Sequence, residues 1–238
     1  MQNRKAVITG AGQGMGKAIA LNFAQQGIHP VLVGRTRSKL DTVAEEIASL
    51  TGNQNTSIVI AVDLTDSTSM DELASVLAED TIDILVNCAG DWLIKPLQET
   101  TDADFDHILG INLRAPYQLA RLLLPNLKKS DNGSIINIGS LAAVESFGGI
   151  SAYTAAKTGL RGLTGSLADE LRPENIRVVM LSPSPADTPM RWAATPDMDA
   201  NMLVQADTIA DVVSMIINLP PSITVRHITL ESMRLSIG

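Results

Sequence analysis

Short apolar runs alternate with longer helix-forming stretches along nearly all of this chain, and that alternation limits the folds open to it. Runs that read as strands occupy 6–9, 30–33, 57–62, 82–87, 133–138, 176–182 and 225–230. Helix candidates begin near Gly14, Ser38, Ser67, Thr101, Ser151 and Asp207. Strands separated by helices build βαβ units, and such units pack into a parallel sheet covered on both faces. Side chains able to accept from free backbone N–H groups mark several helix starts: Ser38, Ser67 or Ser69, and Asp207 or Thr208.

With 238 residues and no repeat, low-complexity tract or linker, the chain reads as one domain spanning 1–238. The one compositional break is the stretch 183–206, rich in proline and methionine and carrying Trp192. It is too long for a mere strand-to-helix connection, and its length predicts a substrate loop or lid. The apolar residues Met190, Trp192, Met198, Met202 and Leu203 suit the inner face of such a lid. The chain is 45% hydrophobic but only 3% aromatic, so aliphatic side chains must fill the core. A net charge of −8 argues against nucleic acid or an anionic membrane as partner. The single cysteine, Cys88, cannot pair within the chain, which suits a reducing compartment. No signal-peptide pattern opens the sequence, and no apolar run approaches the roughly 18 residues of a membrane span. A cytoplasmic protein without a metal centre is the expectation.

The first strand runs into Thr9-Gly10-Ala-Gly12-Gln13-Gly14-Met15-Gly16 at the start of the first helix. The cluster fits neither Gly-x-Gly-x-x-Gly nor a P-loop, but it fits Gly-x-x-x-Gly-x-Gly through Gly10, Gly14 and Gly16. Glycines permit a tight turn and close approach, and a helix N-terminus offers free N–H groups to a pyrophosphate. A dinucleotide site for NAD places an acid after the second strand, against the ribose 2′-hydroxyl. Here that position reads Val33-Gly34-Arg35-Thr36-Arg37. Arg35 offers a planar fork suited to a 2′-phosphate, so NADP(H) is favoured over NAD(H). Asp63, at the end of the third strand, is placed either to accept from an adenine amine or to cap the next helix.

Tyr153 and Lys157 lie four residues apart in a proline-free, small-residue segment, so a helix puts phenol and ammonium on one face. A fixed positive charge lowers the phenol's pKa from about 10 toward the range useful for acid–base work. Ser140, at the end of the fifth strand, could hold a substrate oxygen against that phenol. A hydrolase is disfavoured, because no Gly-x-Ser-x-Gly elbow is present.

Taken in order, these motifs resemble the short-chain dehydrogenase/reductase family. The resemblance rests on the glycine turn, Asp63-Leu64, Asn87-Cys-Ala-Gly90, Asn112, Ser140, Tyr153-x-x-x-Lys157, and Pro183 with Thr188. It implies a single Rossmann-type α/β domain, a doubly wound parallel sheet of about seven strands in order 3-2-1-4-5-6-7. It also implies roles. Tyr153 would be the general acid in carbonyl reduction or the base in alcohol oxidation. Lys157 would lower its pKa and bind the nicotinamide ribose, and Ser140 would orient the substrate oxygen. Asn112, expected in the fifth helix, would hold a water in a proton relay. Gly10, Gln13, Gly14, Met15, Gly16, Arg35, Asp63, Leu64, Asn87, Ala89, Gly90, Pro183 and Thr188 would surround the cofactor. Cys88 would only pack.

The implied activity is that of an NAD(P)-dependent oxidoreductase on a carbonyl or secondary alcohol, most similar to 3-oxoacyl-[acyl-carrier-protein] reductases. A carrier protein or CoA would then deliver the substrate, with Lys128, Lys129 and Arg172 as docking bases. An NAD(H)-dependent dehydrogenase of another alcohol, sugar or steroid is the alternative, and a non-catalytic nucleotide-binding regulator is disfavoured because Tyr153 and Lys157 are both present. A homodimer or homotetramer is expected. Three features depart from the family pattern: Pro183-Ser184 in place of Pro-Gly, a C-terminal tail without Asp-Gly-Gly, and Glu145 near the pocket mouth, which could disfavour anionic substrates.

Overall fold

The computed structural model describes residues 4–52 and 56–234; the last four positions of the atypical tail lie outside the described residues. Seven strands form one sheet: β1 (Lys5–Thr9), β2 (His29–Gly34), β3 (Ile58–Ala61), β4 (Ile84–Asn87), β5 (Ser134–Ile138), β6 (Arg177–Pro183) and β7 (His227–Leu230). All pairings are parallel and the order is β3-β2-β1-β4-β5-β6-β7, as the family resemblance implied. Strands β4, β5 and β6 are buried along their whole length, which is why apolar residues stand on both of their faces.

Helices cover both faces. On one side α1 (Gly14–Gln25), α2 (Arg37–Leu50) and α8 (Ala206–Ile217) bury Ile19, Phe23, Leu40, Ile47, Ile209 and Val213. On the other, α3 (Ser67–Val76) and α5 (Ala115–Leu127) bury Met70, Leu73, Leu119 and Leu123. Beside them, α6 (Ser151–Glu170) packs on α4 (Asp102–Leu109), with Tyr153, Ala156 and Ile108 in one apolar cluster. The stretch 183–206 contains a short helix, α7 (Pro189–Ala194), capped at its start by the Thr188 hydroxyl. No helix among the described residues is long and apolar enough to cross a membrane.

The helix starts differ from expectation in their caps. Asp66, not Ser67 or Ser69, caps α3 by accepting from the Thr68 and Ser69 N–H groups. Thr36 and Gln205 precede α2 and α8 without a side-chain cap bond, so Ser38, Asp207 and Thr208 lie inside their helices. Asn112 falls not in a regular helix but in a π-helical turn, Gly110–Arg114, between α4 and α5.

Arg177, at the start of β6, is only 6% exposed and faces no carboxylate. It donates instead to the carbonyls of Leu219, Pro220 and Ile223, closing the chain that leaves α8. Truncating such a group removes charged bonds to several part-buried carbonyls. Arg177→Met should therefore cost about 2–4 kcal/mol of stability, read as a lower urea midpoint in equilibrium unfolding.

Candidate active site

Because every strand runs in the same direction, the segments that follow β1, β2, β4, β5 and β6 all emerge at one edge of the sheet. The order of the strands reverses between β1 and β4, and a crevice opens there. A cleft of about 800 Å³ occupies it, lined by Gly10, Gln13, Gly14, Met15, Gly16, Arg35, Asp63, Leu64, Ala89, Gly90 and Thr188. A larger hollow, about 1080 Å³, lies at the opposite edge beside Arg4, His29 and Asp83. It does not contain the glycine turn, so volume does not select the site.

The turn after β1 needs its glycines for two different reasons. Gly10 and Gly14 adopt left-handed backbone, with φ of +68° and +53°. A methyl on Gly16 would collide with the Gly10 carbonyl, the backbone of its own turn. Gln13 precedes α1 with no side-chain cap bond, so the first N–H groups of that helix are left for a ligand. At the far end Arg35 is exposed, and Lys39, one turn into α2, bonds Gln13 Oε1 at 2.7 Å. These residues fit a dinucleotide: a turn that a side chain would fill, a free helix start for the pyrophosphate, and two cations at the ribose end. Asp63 neither caps α3 nor stands free. It accepts from the Thr65 N–H and hydroxyl at 2.9 and 2.7 Å, which hold its carboxyl below the usual range, with Arg35 nearby adding to the effect.

Asn87 and Pro183 do not face the cleft. The Asn87 amide donates to Asn137 Oδ1 at 2.8 Å, and Asn137 donates to Thr164, so these residues link β4, β5 and α6 beneath the floor. Pro183 closes β6, and Ser184 after it is buried, bonded through its N–H to Leu230 and through its hydroxyl to Ser232 N–H. Ser184 has no positive φ, so the missing glycine leaves no backbone strain there.

Tyr153, Lys157, Ser140 and Asn112 converge directly behind Gly90 and Trp92, two residues of the cleft wall. The Lys157 Nζ lies 5.6 Å from the Tyr153 ring centroid and donates to the Ile138 carbonyl at 3.0 Å. Burial drives its pKa down to about 8. The Asn112 amide donates to the carbonyls of Asp91 and Ile108, both at 3.0 Å. The π-helical turn frees the Ile108 carbonyl's neighbourhood for that side chain, and such turns recur at functional sites. Asn112 Oδ1 is left buried and without a partner. A methyl on Gly90 would come within 2.7 Å of that oxygen and 3.7 Å of Lys157 Nζ, so Gly90 keeps the gap between them open.

The phenol departs from expectation. Burial raises the Tyr153 pKa, and the neighbours that offset this are the Ser140 hydroxyl and then Arg191, not Lys157. Arg191, on α7, and Trp92, directly after the β4 segment, were not anticipated from the sequence. Trp92 meets Tyr153 edge-on, with ring centroids 4.6 Å apart. The position of Trp92 two residues after Gly90, and that of Lys39 four after Arg35, are the signals that could have found them. The Cys88 thiol is pushed up to about 12 by burial, which suits packing rather than chemistry. Lys128 and Arg172 are held by Glu174 and Asp169, and Lys129 lines the hollow at the opposite edge. Lys128 and Lys129 precede β5 whereas Ser140 follows it, so the supposed docking bases flank the wrong end of the sheet.

A family model described as short chain dehydrogenase matches residues 4–199. The chain belongs to that family. An uncharacterised oxidoreductase of Staphylococcus epidermidis is 29% identical, over 97% of this chain and 98% of its own. Among solved structures, a metagenomic short-chain oxidoreductase in complex with NADP is 34% identical, covers 96% of each chain and gives a TM-score of 0.82. An alcohol dehydrogenase from the archaeon Thermococcus sibiricus, complexed with 5-hydroxy-NADP, is 25% identical over 98% of each chain, with a TM-score of 0.89. The short-chain dehydrogenase fold thus extends over the whole described chain, including the segments beyond residue 199.

A lysine that is charged when unfolded, with a pKa near 10.4, but titrates near 8 when folded binds fewer protons in the native state across that interval. Stability should therefore rise with pH between about 8 and 10. Chemical denaturation of wild type and Lys157→Met across that window checks this: the rise should be present in the first and absent from the second.

Proposed function

We propose that the protein is an NADP(H)-dependent oxidoreductase that interconverts a carbonyl and a secondary alcohol. The bound nicotinamide supplies or accepts the hydride. The observation that carries this reading is the buried Tyr153–Lys157 pair, which lies with the orphaned Asn112 oxygen directly behind Gly90, a lining residue of the glycine-turn cleft. A phenol whose pKa is raised by burial keeps its proton at neutral pH, so Tyr153 serves as the general acid in carbonyl reduction. Ser140 holds the substrate oxygen beside it. Lys157 holds the nicotinamide ribose, and Asn112 keeps a water in line with Lys157 to return the proton. The segment 183–206 acts as the lid.

Arg35 and Lys39 favour NADP(H) by supplying two cations where a 2′-phosphate would lie. The 3-oxoacyl thioester reading draws no support from Lys128, Lys129 and Arg172, given where those bases lie.

Tyr153→Phe should lower kcat by about 10²–10⁴-fold in a carbonyl-reduction assay while leaving the affinity for NADPH within a factor of two or three. Near-normal turnover would end the assignment. Arg35→Asp should cost about tenfold or more in kcat/KM for NADPH and improve use of NADH. A wild-type protein that works better with NADH than with NADPH would overturn the cofactor preference.

A further inference from the structure

Arg191 lays its guanidinium carbon 4.8 Å from the centroid of the Trp92 ring, whose edge rests on Tyr153. One aromatic ring therefore separates a cation from the phenol. The guanidinium is half-buried, and among the described residues it has no hydrogen-bond acceptor and no carboxylate. Arg177, the other guanidinium drawn out of water, saturates three carbonyls instead. A ring face returns only part of what a guanidinium loses on leaving water. The same stack holds a second orphan: Trp92 Nε1 is shut off from solvent with no acceptor. The sealed indole N–H cannot meet a ligand, so the half-buried Arg191 is the donor of this stack that stays open to one.

We propose that Arg191 receives a carboxylate of the substrate, making short oxo acids and hydroxy acids the preferred substrates over neutral ketones and alcohols. This rests on the carbonyl–alcohol reading above. A guanidinium fork matches the two oxygens of a carboxylate. One such cation balances one negative charge, so a carboxylate fits better than a phosphate ester. The stack is short, which places the acid group within a few bonds of the reacting carbon. Exposed Ile94 lines the same cleft as Trp92 and suits a small apolar remainder. Glu145 does not pair with Arg191.

The protein loaded with NADP⁺, which cannot reduce a ketone, allows binding to be read without turnover. Calorimetric titration with acetoacetate and with methyl acetoacetate should show the acid binding at least about tenfold tighter than the ester. Arg191→Met should bring that ratio close to one, and Arg191→Lys should restore part of it, with both variants checked for an unchanged melting temperature. Equal binding of acid and ester by wild type, a ratio that survives Arg191→Met, or tighter binding of dihydroxyacetone phosphate than of acetoacetate would each overturn the proposal. Arg191-dependent binding of the acid without turnover by NADPH would count against the oxidoreductase reading and leave the carboxylate site standing.

Discussion

The hydroxyl of Thr9 fixes the geometry on which the site depends. It donates to the Val86 carbonyl at 3.3 Å and accepts from the Cys88 and Ala89 N–H groups at 3.0 and 2.9 Å. Those amides lie just beyond β4, where the ladder to β1 has ended, and without Thr9 they would have no acceptor inside the sheet. The bond draws the two segments together until Gly10 touches the Ala89 backbone, a contact a side chain could meet only at 3.0 Å. The glycine turn and the segment carrying Gly90, Asp91 and Trp92 are thereby set at a fixed distance. The cleft is the space between them.

Desolvation then sets the chemistry behind the cleft wall, and it acts on phenol and ammonium in opposite directions. Both ionise at the expense of water, so burial raises the Tyr153 pKa and lowers that of Lys157. The two pKa values are thereby driven apart. A lysine that titrates near 8 gives and takes a proton near neutral pH far more readily than an exposed one, at the cost of holding an ammonium against a single carbonyl. A fold with a less complete core could not keep these groups dry; here Ala156 and Leu160 on α6 and Ala142 and Ala143 beyond β5 exclude solvent around them.

How far the sequence reveals this can be judged residue by residue. The sheet order and the glycine turn were legible because backbone constraints write themselves locally: strands as apolar runs, the turn as glycines at fixed offsets. Tyr153 and Lys157 were legible because helical spacing alone puts them on one face. Asn87 was misread because the identity of an asparagine does not tell which way its strand turns it, and the pleat turns it toward Asn137. The caps were misread because Asp66 competes with Ser67 and Ser69 for the same N–H groups, and the better acceptor wins. Arg191 and Trp92 were invisible as a pair. Ninety-eight residues lie between them, and only the return of the chain over the sheet edge brings the guanidinium onto the ring.

That pairing changes the account of the phenol. Lys157 was expected to supply the positive field that favours phenolate, yet it points to the Ile138 carbonyl and loses its own proton near 8. Arg191 stands one ring away and, being a guanidinium, keeps its charge throughout the range in which Lys157 gives its up. The two cations therefore divide the work by their chemistry. The one that can titrate lies toward Gly90 and Asn112, on the proposed proton path. The one that cannot lies over Trp92, where a constant field and a constant counter-charge are what a bound anion and an ionising phenol both require.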